Sequence, residues 1–539
     1  MHGERICGIE TEYGVIEVGQ PYANAIELSS AIVEAVSELD DVTGGHGVIP
    51  WDFHGESPLQ DARGFSIDRG MAHPSQLTDN PDELAPSGDE SVLLQQLSAS
   101  DVEALKRPRA LNTVIANGAR VYVDHAHPEY SSPEFSSAYQ AVLYDRAGDA
   151  LMKRAMEFLH RQGRDIVIYK NNVDGKGASY GAHENFLVSR KVDFSTIIKY
   201  MTPFFATRFI MCGTGRVGRG QKSEGIGFQI SQRADYIEND VGLETTFDRP
   251  IINTRDEPHA DESLYRRLHV ITGDANQFDM SIFLKIGVTS LLLGFLEKST
   301  SLQELDACFI DDPVEAVHVF SRDPSLQVRV VMTNGRQMSA LEIQKHYYRV
   351  LCDFYSHHRQ MDEDVQHILS WWKKILDMLS GDIFDAAPYV EWVAKYQLLL
   401  SMKERDGLSW DSDRLKAFDV QWHDLRSSHS IVEKLDAKGK VYRFFPYEEV
   451  EKALMNPPET TRAFLRGVLI RRYGQYVKSV GWNSLVVELP EKEKYLRIPL
   501  MYPDRATRAL IGKIMEDSTS ITDFIRRLIG NTTTENESE

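Results

Sequence analysis

The chain has 539 residues, room for roughly two to four units at about 150 residues each, and its 42% hydrophobic and 10% aromatic content is that of a packed globular protein. Sixty basic residues against 80 acidic give a formal net charge of -20, which excludes a general nucleic-acid surface and requires a local basic groove for any anionic partner. Cys7, Cys212, Cys308 and Cys352 are scattered with no CxxC pair, no run of about 18 apolar residues stands out, and the N-terminus lacks a basic-then-apolar leader. The expectation is a soluble, cytoplasmic protein with no disulfide framework, no structural zinc and no membrane contact.

In chain order, residues 5–15 read as a strand whose alternation puts Glu10 and Glu12 on one face and Ile9, Thr11, Tyr13 and Val15 on the other. Two carboxylates about 7 Å apart repel unless a cation lies between them, and a divalent ion is their natural occupant. Gly8 and Gly14 leave room for a ligand to reach the backbone. A helix is predicted over 22–40. From 41 to 91 the pattern dissolves into glycines and prolines, a loop insertion in which Trp51-Asp52 and residues 56–65 form a denser patch, read equally as a lid segment or a flexible insertion. The stretch 117–130 (NGARVYVDHAHPEY) follows. On a strand, Arg120, Tyr122 and Asp124 share one side and Val121 and Val123 the other, with Glu129 five residues beyond Asp124; the plain alternative is a solvated strand face.

A long amphipathic helix is predicted over 139–162 and a short buried strand over 165–169. The glycine-punctuated loop 170–185 offers amides and Lys176 to phosphates, although GxxxxGK[ST] is absent, and it enters a strand on which His183 and Asn185 share a face. Arg233, alternating with Gln229 and Ser231, Arg255 at the end of the run 250–255, and Arg267 with His269 are read as three strands aiming cationic or imidazole groups to one side, the pattern for bidentate recognition of phosphate or carboxylate. Surface ion pairs are the alternative. Beyond Asp279 the chain turns helical, over 281–297, 340–357, 364–379 and 388–404; a proline-led helix is expected within 451–474, then strands over 485–489 and 495–498 and two short helices after Pro503. The expected division is a catalytic domain over 1–450 with the insertion at 41–91, a small C-terminal domain over 451–530 and a disordered polar tail over 531–539.

Glu10, Glu12, Glu129 and His183 suit a divalent metal and the arginines suit phosphates, a combination that points to MgATP. At this point the ordered motifs 8–14 (GIETEYG), 117–130, 170–181 (KNNVDGKGASYG), 253–261 (NTRDEPHAD), 266–276 (RRLHVITGDAN) and 457–467 (PPETTRAFLRG) resemble the Pup ligase/Pup deamidase family, which acts on the prokaryotic ubiquitin-like protein Pup. The resemblance implies an α+β, glutamine-synthetase-like fold, a curved, mainly antiparallel sheet packed by helices with a small C-terminal α/β domain. DHAHPE at 124–129 and the insertion carrying ESPLQDARGF at 56–65 resemble the deamidase branch, which removes the amide of a C-terminal glutamine on Pup and cleaves the isopeptide bond between Pup and substrate lysines; the alternative is the Pup-protein ligase. ATP or ADP with Mg2+ are the implied cofactors, and Pup and pupylated proteins the implied partners.

By the same resemblance Glu10, Tyr122 and Glu129 match magnesium contacts, with Glu12, His183 and His269 completing the metal shell. Arg120, Ser132 and Trp482 match nucleotide contacts, and Arg233 and Arg255 would face phosphate. Asp124 matches the catalytic aspartate, acting either as nucleophile or as base towards a water. Pup is acidic and mostly disordered, so a basic groove is expected, for which Arg462, Arg466, Arg471 and Arg472 are candidates.

Overall fold

The computed structural model describes residues 5–70, 72, 95–97, 111–174, 177–220, 225–357, 362–492 and 494–535. Lys176 and most of the later half of the 41–91 insertion lie outside them. Alternating polar and apolar residues build a six-stranded sheet from β1 (Cys7–Glu12), β2 (Asn112–Val114), β3 (Arg120–Asp124), β4 (His127–Ser131), β5 (Ala182–Ser189) and β6 (Tyr265–Val270). The spatial order is β6-β5-β1-β4-β3-β2, and every neighbouring pair is antiparallel. Ile9, Val121, Tyr130, Phe186, Leu268 and Val270 turn one face of it into the main core.

Helix α1 (Ala138–Arg161) presses on that face so closely that a Cβ at Gly148 would lie 2.5 Å from the Tyr130 ring, which is why glycine stands there. Helix α2 (Asp279–Lys298) is buried from Asp279 to Leu296. Its best 18-residue window has mean hydropathy 1.6 and passes for a membrane span by length and composition, yet 94% of that window is buried inside the protein. A helix apolar all round is a core helix when other elements surround it.

The strand expected over 5–15 is broken. β1 ends at Glu12, and Gly14–Glu17 pairs separately with Ile166–Tyr169. Tyr13 at the break is fully buried, its amide donating to Pro128 O at 3.0 Å and its hydroxyl to Asp149 at 3.0 Å. Lys170, donating to Asp145 at 2.6 Å and to Asp149 at 2.9 Å, anchors the same corner.

At the C-terminus, α3 (Ala463–Tyr473), β7 (Val477–Val480), β8 (Ser484–Leu489), β9 (Lys494–Pro499), α4 (Arg508–Asp517) and α5 (Ile521–Glu535) surround a second apolar cluster that also takes in Trp51, Val114 and Ala116. The proline-led helix is not found: 456–462 links the helix Tyr447–Met455 to α3, and Pro457 packs so tightly on α3 that a Cβ at Gly467 would meet it at 2.9 Å. Helix α5 runs to Glu535, past the 531 boundary expected for the tail, because Ile521, Phe524 and Ile525 anchor its first turns and each further residue then adds at little cost; residues 536–539 lie outside the described residues.

The expected basic groove is also corrected. Arg462 donates to Glu134 Oε1 at 2.7 Å, His259 O at 2.7 Å and Leu500 O at 2.6 Å, and Arg466 to Gly118 O at 3.0 Å and to Glu134. Both are buried, so they clamp the C-terminal elements to the sheet instead of facing a ligand. Arg472 is spent on the carbonyls of Met515 and Ser518, and Arg471 on Asn456.

Burial alone would raise the Glu134 carboxyl, but the charges of Arg466 and Arg462 outweigh it and hold the group at about 2 instead of 4.5. Glu134→Ala would strand two buried guanidinium groups and is expected to lower the unfolding free energy by about 3–5 kcal/mol at neutral pH, read by urea denaturation. Because the folded carboxyl is depressed, its contribution is complete above pH 4.5 and is lost as the pH falls towards about 2, so wild type and Glu134→Gln should converge only in that window. A gap that closes near neutral pH would sink this account.

Candidate active site

Strand register assembles the polar face. Glu10 lies opposite both His183 and Ser131, Ser131 opposite Arg120, Glu12 opposite Glu129, Glu129 opposite Tyr122, and Asn185 opposite His269. Five strands thus deliver their chemistry-bearing side chains to one side, as the alternation argument requires.

Two clusters result. Glu10, His183 and His269 each bring a ligand atom within 4.8 Å of the others, and so do Glu12, Asp124 and Glu129. In the first, Asn185 donates to Glu10 Oε1 at 3.0 Å, which turns its own oxygen towards His269 Nδ1, 2.9 Å away. That nitrogen must then donate, and the ring is neutral because burial, helped by the charges of Arg267 and His183, pulls its pKa well below 6.5. His269 Nε2 is left as a lone pair, the form in which an imidazole binds metal. His183 Nδ1 lies 3.4 Å from Glu10 Oε2. Burial would raise Glu10, but that hydrogen bond and the charge of Arg267 hold the carboxyl well below the usual range.

The second cluster is short of positive charge. Burial, then the charges of Asp124, Glu10 and Glu12, push Glu129 far above 4.5, although the Tyr122 hydroxyl donates to it. Glu12 accepts the Gly181 amide at 2.9 Å. Crowded carboxylate oxygens that cannot all ionise are a setting a divalent cation fits. Asp124 goes the other way: burial opposes ionisation, but the His125 hydrogen bond and the charges of His125, His183 and Arg255 keep it below the ordinary 3.8.

Arg120, Arg255 and Arg267 line the same cavity, about 280 Å³, with Phe53, Glu56, Glu257, His259 and Trp482. The Nε of each of the three arginines is buried without a hydrogen-bond partner, so donor capacity is held ready for an anion. Arg120 is sandwiched between Tyr122 at 3.9 Å and Trp51 at 4.2 Å. An adjoining apolar pocket is lined by Ile6, Ile9, Ser132 and Phe186, and it shares Glu10, His259, Arg267 and Trp482 with the cavity.

Three expectations change. Arg233 is outside the site and off any strand, since the strand from 227 stops at Gln229; its buried guanidinium is spent on Ser179 Oγ at 2.9 Å, Tyr180 O at 2.7 Å and Ile271 O at 3.0 Å. Burial and the charge of Arg249 bring its pKa down to about 9, and its role is to hold the loop that carries Gly181 under Glu12. Ser132 lines the apolar pocket, but its hydroxyl is satisfied by Ile9 N and Pro133 O, each at 3.0 Å. The described part of the insertion is docked, not loose: Ser57 N donates to Glu257 at 2.6 Å, Thr254 Oγ1 to Asp61 at 2.6 Å, and Trp51 bridges to Val480.

Sequence reasoning overlooked Glu56, Glu257, His259 and His125. Glu56 is pushed up to about 8 by burial and by Glu257, whereas Glu257 stays low because His259, Arg267 and Arg255 outweigh its own burial. Their only signal was membership of the denser patch 56–65, of the 253–261 motif and, for His125, of the stretch 117–130.

A family model described as Pup-ligase protein matches residues 5–486. The chain is 39% identical to a depupylase of Acidothermus cellulolyticus over 98% of its own length and all of that protein, and 40% identical to a Pup deamidase/depupylase of Mycolicibacterium smegmatis over 97% and 99%. A Pup–protein ligase of Paenarthrobacter aurescens is 38% identical but matches only 70% of this chain. Among solved structures, the Pup ligase PafA in complex with Pup superposes with a TM-score of 0.72 at 28% identity, covering 98% of this chain and 95% of the other. PafA in complex with ADP gives 0.67 at 31%, covering 80% and 96%. The sheet and its helices therefore form a glutamine-synthetase-like fold.

A Cβ at Gly181 would stand 2.0 Å from His183 Nε2, so Gly181→Ala must displace that imidazole. Binding of Mg2+ or Mn2+, followed by calorimetry, should weaken about 10–100-fold while the melting temperature barely moves; unchanged affinity would remove His183 from the metal site. Since the raised Glu129 must lose its proton to a cation, binding should release protons, more of them at lower pH, and show buffer-dependent heats.

Proposed function

The chain belongs to the Pup-ligase family, and on that premise we propose that it hydrolyses an amide on the γ-carbonyl of the C-terminal residue of Pup. The two substrates are the side-chain amide of a terminal glutamine and the isopeptide bond between a terminal glutamate and a substrate lysine. The observation that carries this reading is an ionised Asp124 beside a carboxylate–imidazole metal setting and three arginines with unused donors. The choice of branch rests on the likeness to proteins named depupylase over 97–98% of the chain, against 70% for the ligase.

In this reading Glu10, His183 and His269 hold one Mg2+, Glu12 and Glu129 hold a second, and Tyr122 fixes Glu129 through its hydroxyl. Arg120, Arg255 and Arg267 take the phosphates of ATP or ADP, and the apolar pocket with Ser132 and Trp482 takes the nucleoside. When bound, the magnesium nucleotide supplies positive charge that polarises the reacting centre. Asp124 either attacks the γ-carbonyl, giving an anhydride, or removes a proton from the attacking water. Arg255, whose charge already acts on Asp124, stabilises the developing oxyanion. Both substrates present the same carbonyl and differ only in the amine that leaves, so one site serves both.

The solved neighbours are Pup ligases, which favours ligation as the second reading. Incubating the purified protein with glutamine-ending Pup, a Pup conjugate and MgATP, read by mass, separates the two. Hydrolysis converts the terminal glutamine to glutamate and splits the conjugate without one ADP per bond; new conjugate with stoichiometric ADP would return the chain to the ligase branch. Asp124→Asn should keep nucleotide affinity within a few-fold and lower both cleavages by at least about 10³-fold, and undiminished turnover would discard Asp124.

A further inference from the structure

β3 and β4 are joined by a two-residue turn, His125-Ala126, because Asp124 already pairs with His127. His125 sits there in the left-handed region at φ 53°, uncommon for a residue other than glycine, although histidine is among the side chains found there more often. The turn is held from outside, where Ser29 Oγ donates to Ala126 O at 2.8 Å. Its result is that His125 Nδ1 lies 3.0 Å from Asp124 Oδ2 while the ring lines the active cavity.

Exposure separates this imidazole from the others in the cavity. The His125 side chain is 39% exposed, against 12% for His183 and 14% for His259, and His269 is buried. His127, next along the turn, is stacked on Tyr180 at 4.2 Å and lies 3.8 Å from Glu12. A lysine amine that leaves while attached to a folded protein has to depart on the solvent side of the scissile bond. Among the described residues lining the cavity, His125 is the most exposed imidazole, and it is in contact with Asp124.

We infer that His125 is the general acid that protonates the departing amine. The inference rests on the proposed amide hydrolysis and deepens it. Attack forms a C–O bond at the γ-carbonyl and breaks the C–N bond; the nitrogen leaves with the bonding electron pair and takes the proton from His125 Nε2, while Nδ1–H keeps its hydrogen bond to Asp124. Where water attacks directly, Asp124 accepts the water proton and returns it to solvent; where Asp124 attacks, a later water gives its hydroxyl to the acyl carbon and its proton to solvent while the bond from that carbon to the Asp124 oxygen breaks and frees the carboxylate. The neutral imidazole regains a proton at its exposed edge.

The test varies the basicity of the leaving amine. Pup is joined through the same γ-amide either to a lysine amine or to an arylamine such as an aminocoumarin, a far less basic leaving group that depends much less on a proton donor. His125→Gln, and His125→Asn as a second variant of different length, should lower kcat for the lysine conjugate and for glutamine-ending Pup by about 10²-fold or more. The arylamide should lose less than about tenfold, with KM and nucleotide affinity unchanged. Nucleotide binding and the melting temperature confirm that each variant is folded. An equal loss on both leaving groups would reduce His125 to a residue that only orients Asp124, and no loss on either would remove it from the reaction. If the wild type cleaves neither amide, the proposed hydrolysis itself fails, and this inference with it.

Discussion

Everything in the site depends on the antiparallel register of the central sheet. Because Glu12 pairs with Glu129 and Glu129 with Tyr122, while Glu10 pairs with His183 and Ser131, the metal-type ligands form rows across four strands. A slip of one residue anywhere would send Glu10 or His183 into the apolar face and bring Ile9 or Phe186 out. The opposite face makes that slip costly, since Ile9, Tyr130 and Phe186 are locked under α1 and α2. Burying those side chains is worth roughly 1.5–3 kcal/mol each, which exceeds what any single polar contact on the wet face contributes. Core packing therefore holds the register, and the register places the chemistry.

What the register brings together is electrostatically unfinished. One end of the cavity has carboxylates too crowded to ionise together, of which Glu129 is held protonated and Asp124 ionised; the other has three arginines with idle donors. Within the protein these ends meet mainly through Arg267, which pairs with Glu10 at 3.7 Å and with Glu257 at 3.3 Å, while Arg120 is held by aromatic faces. A cation at one end and an anion at the other would satisfy both, which is the charge pattern of a metal–nucleotide complex. The acidic surplus of the whole chain is thus compatible with a strongly anionic ligand, because the positive charge that matters is local.

How far the site was legible follows from the same geometry. Glu10 with Glu12, Arg120 with Tyr122 and Asp124, His183 with Asn185, and Arg267 with His269 all lie on regular strands, where a period of two is enough to assign a face. Arg233 was misassigned because the strand ends four residues before it, a boundary that alternation does not mark. Arg462 and Arg466 looked like a basic groove because their partner, Glu134, is more than 300 residues away and cannot be paired with them by any local pattern. Glu56 was invisible for a related reason: it is raised by burial and then by the charge of Glu257, which a loop docking and not the chain brings to it.

The same long-range contacts make the wall of the site a composite of distant segments. Arg462 reaches from the C-terminal helix to the carbonyl of His259, itself held in the left-handed region at φ 48°, while Glu134 ties Arg462 and Arg466 to the turn after β4. Trp482, from the C-terminal strands, meets Trp51 of the insertion edge-on at 4.9 Å, and Trp51 in turn covers Arg120. The insertion and the C-terminal elements therefore close the arginine end from two directions, while the Asp124–His125 end stays open to solvent.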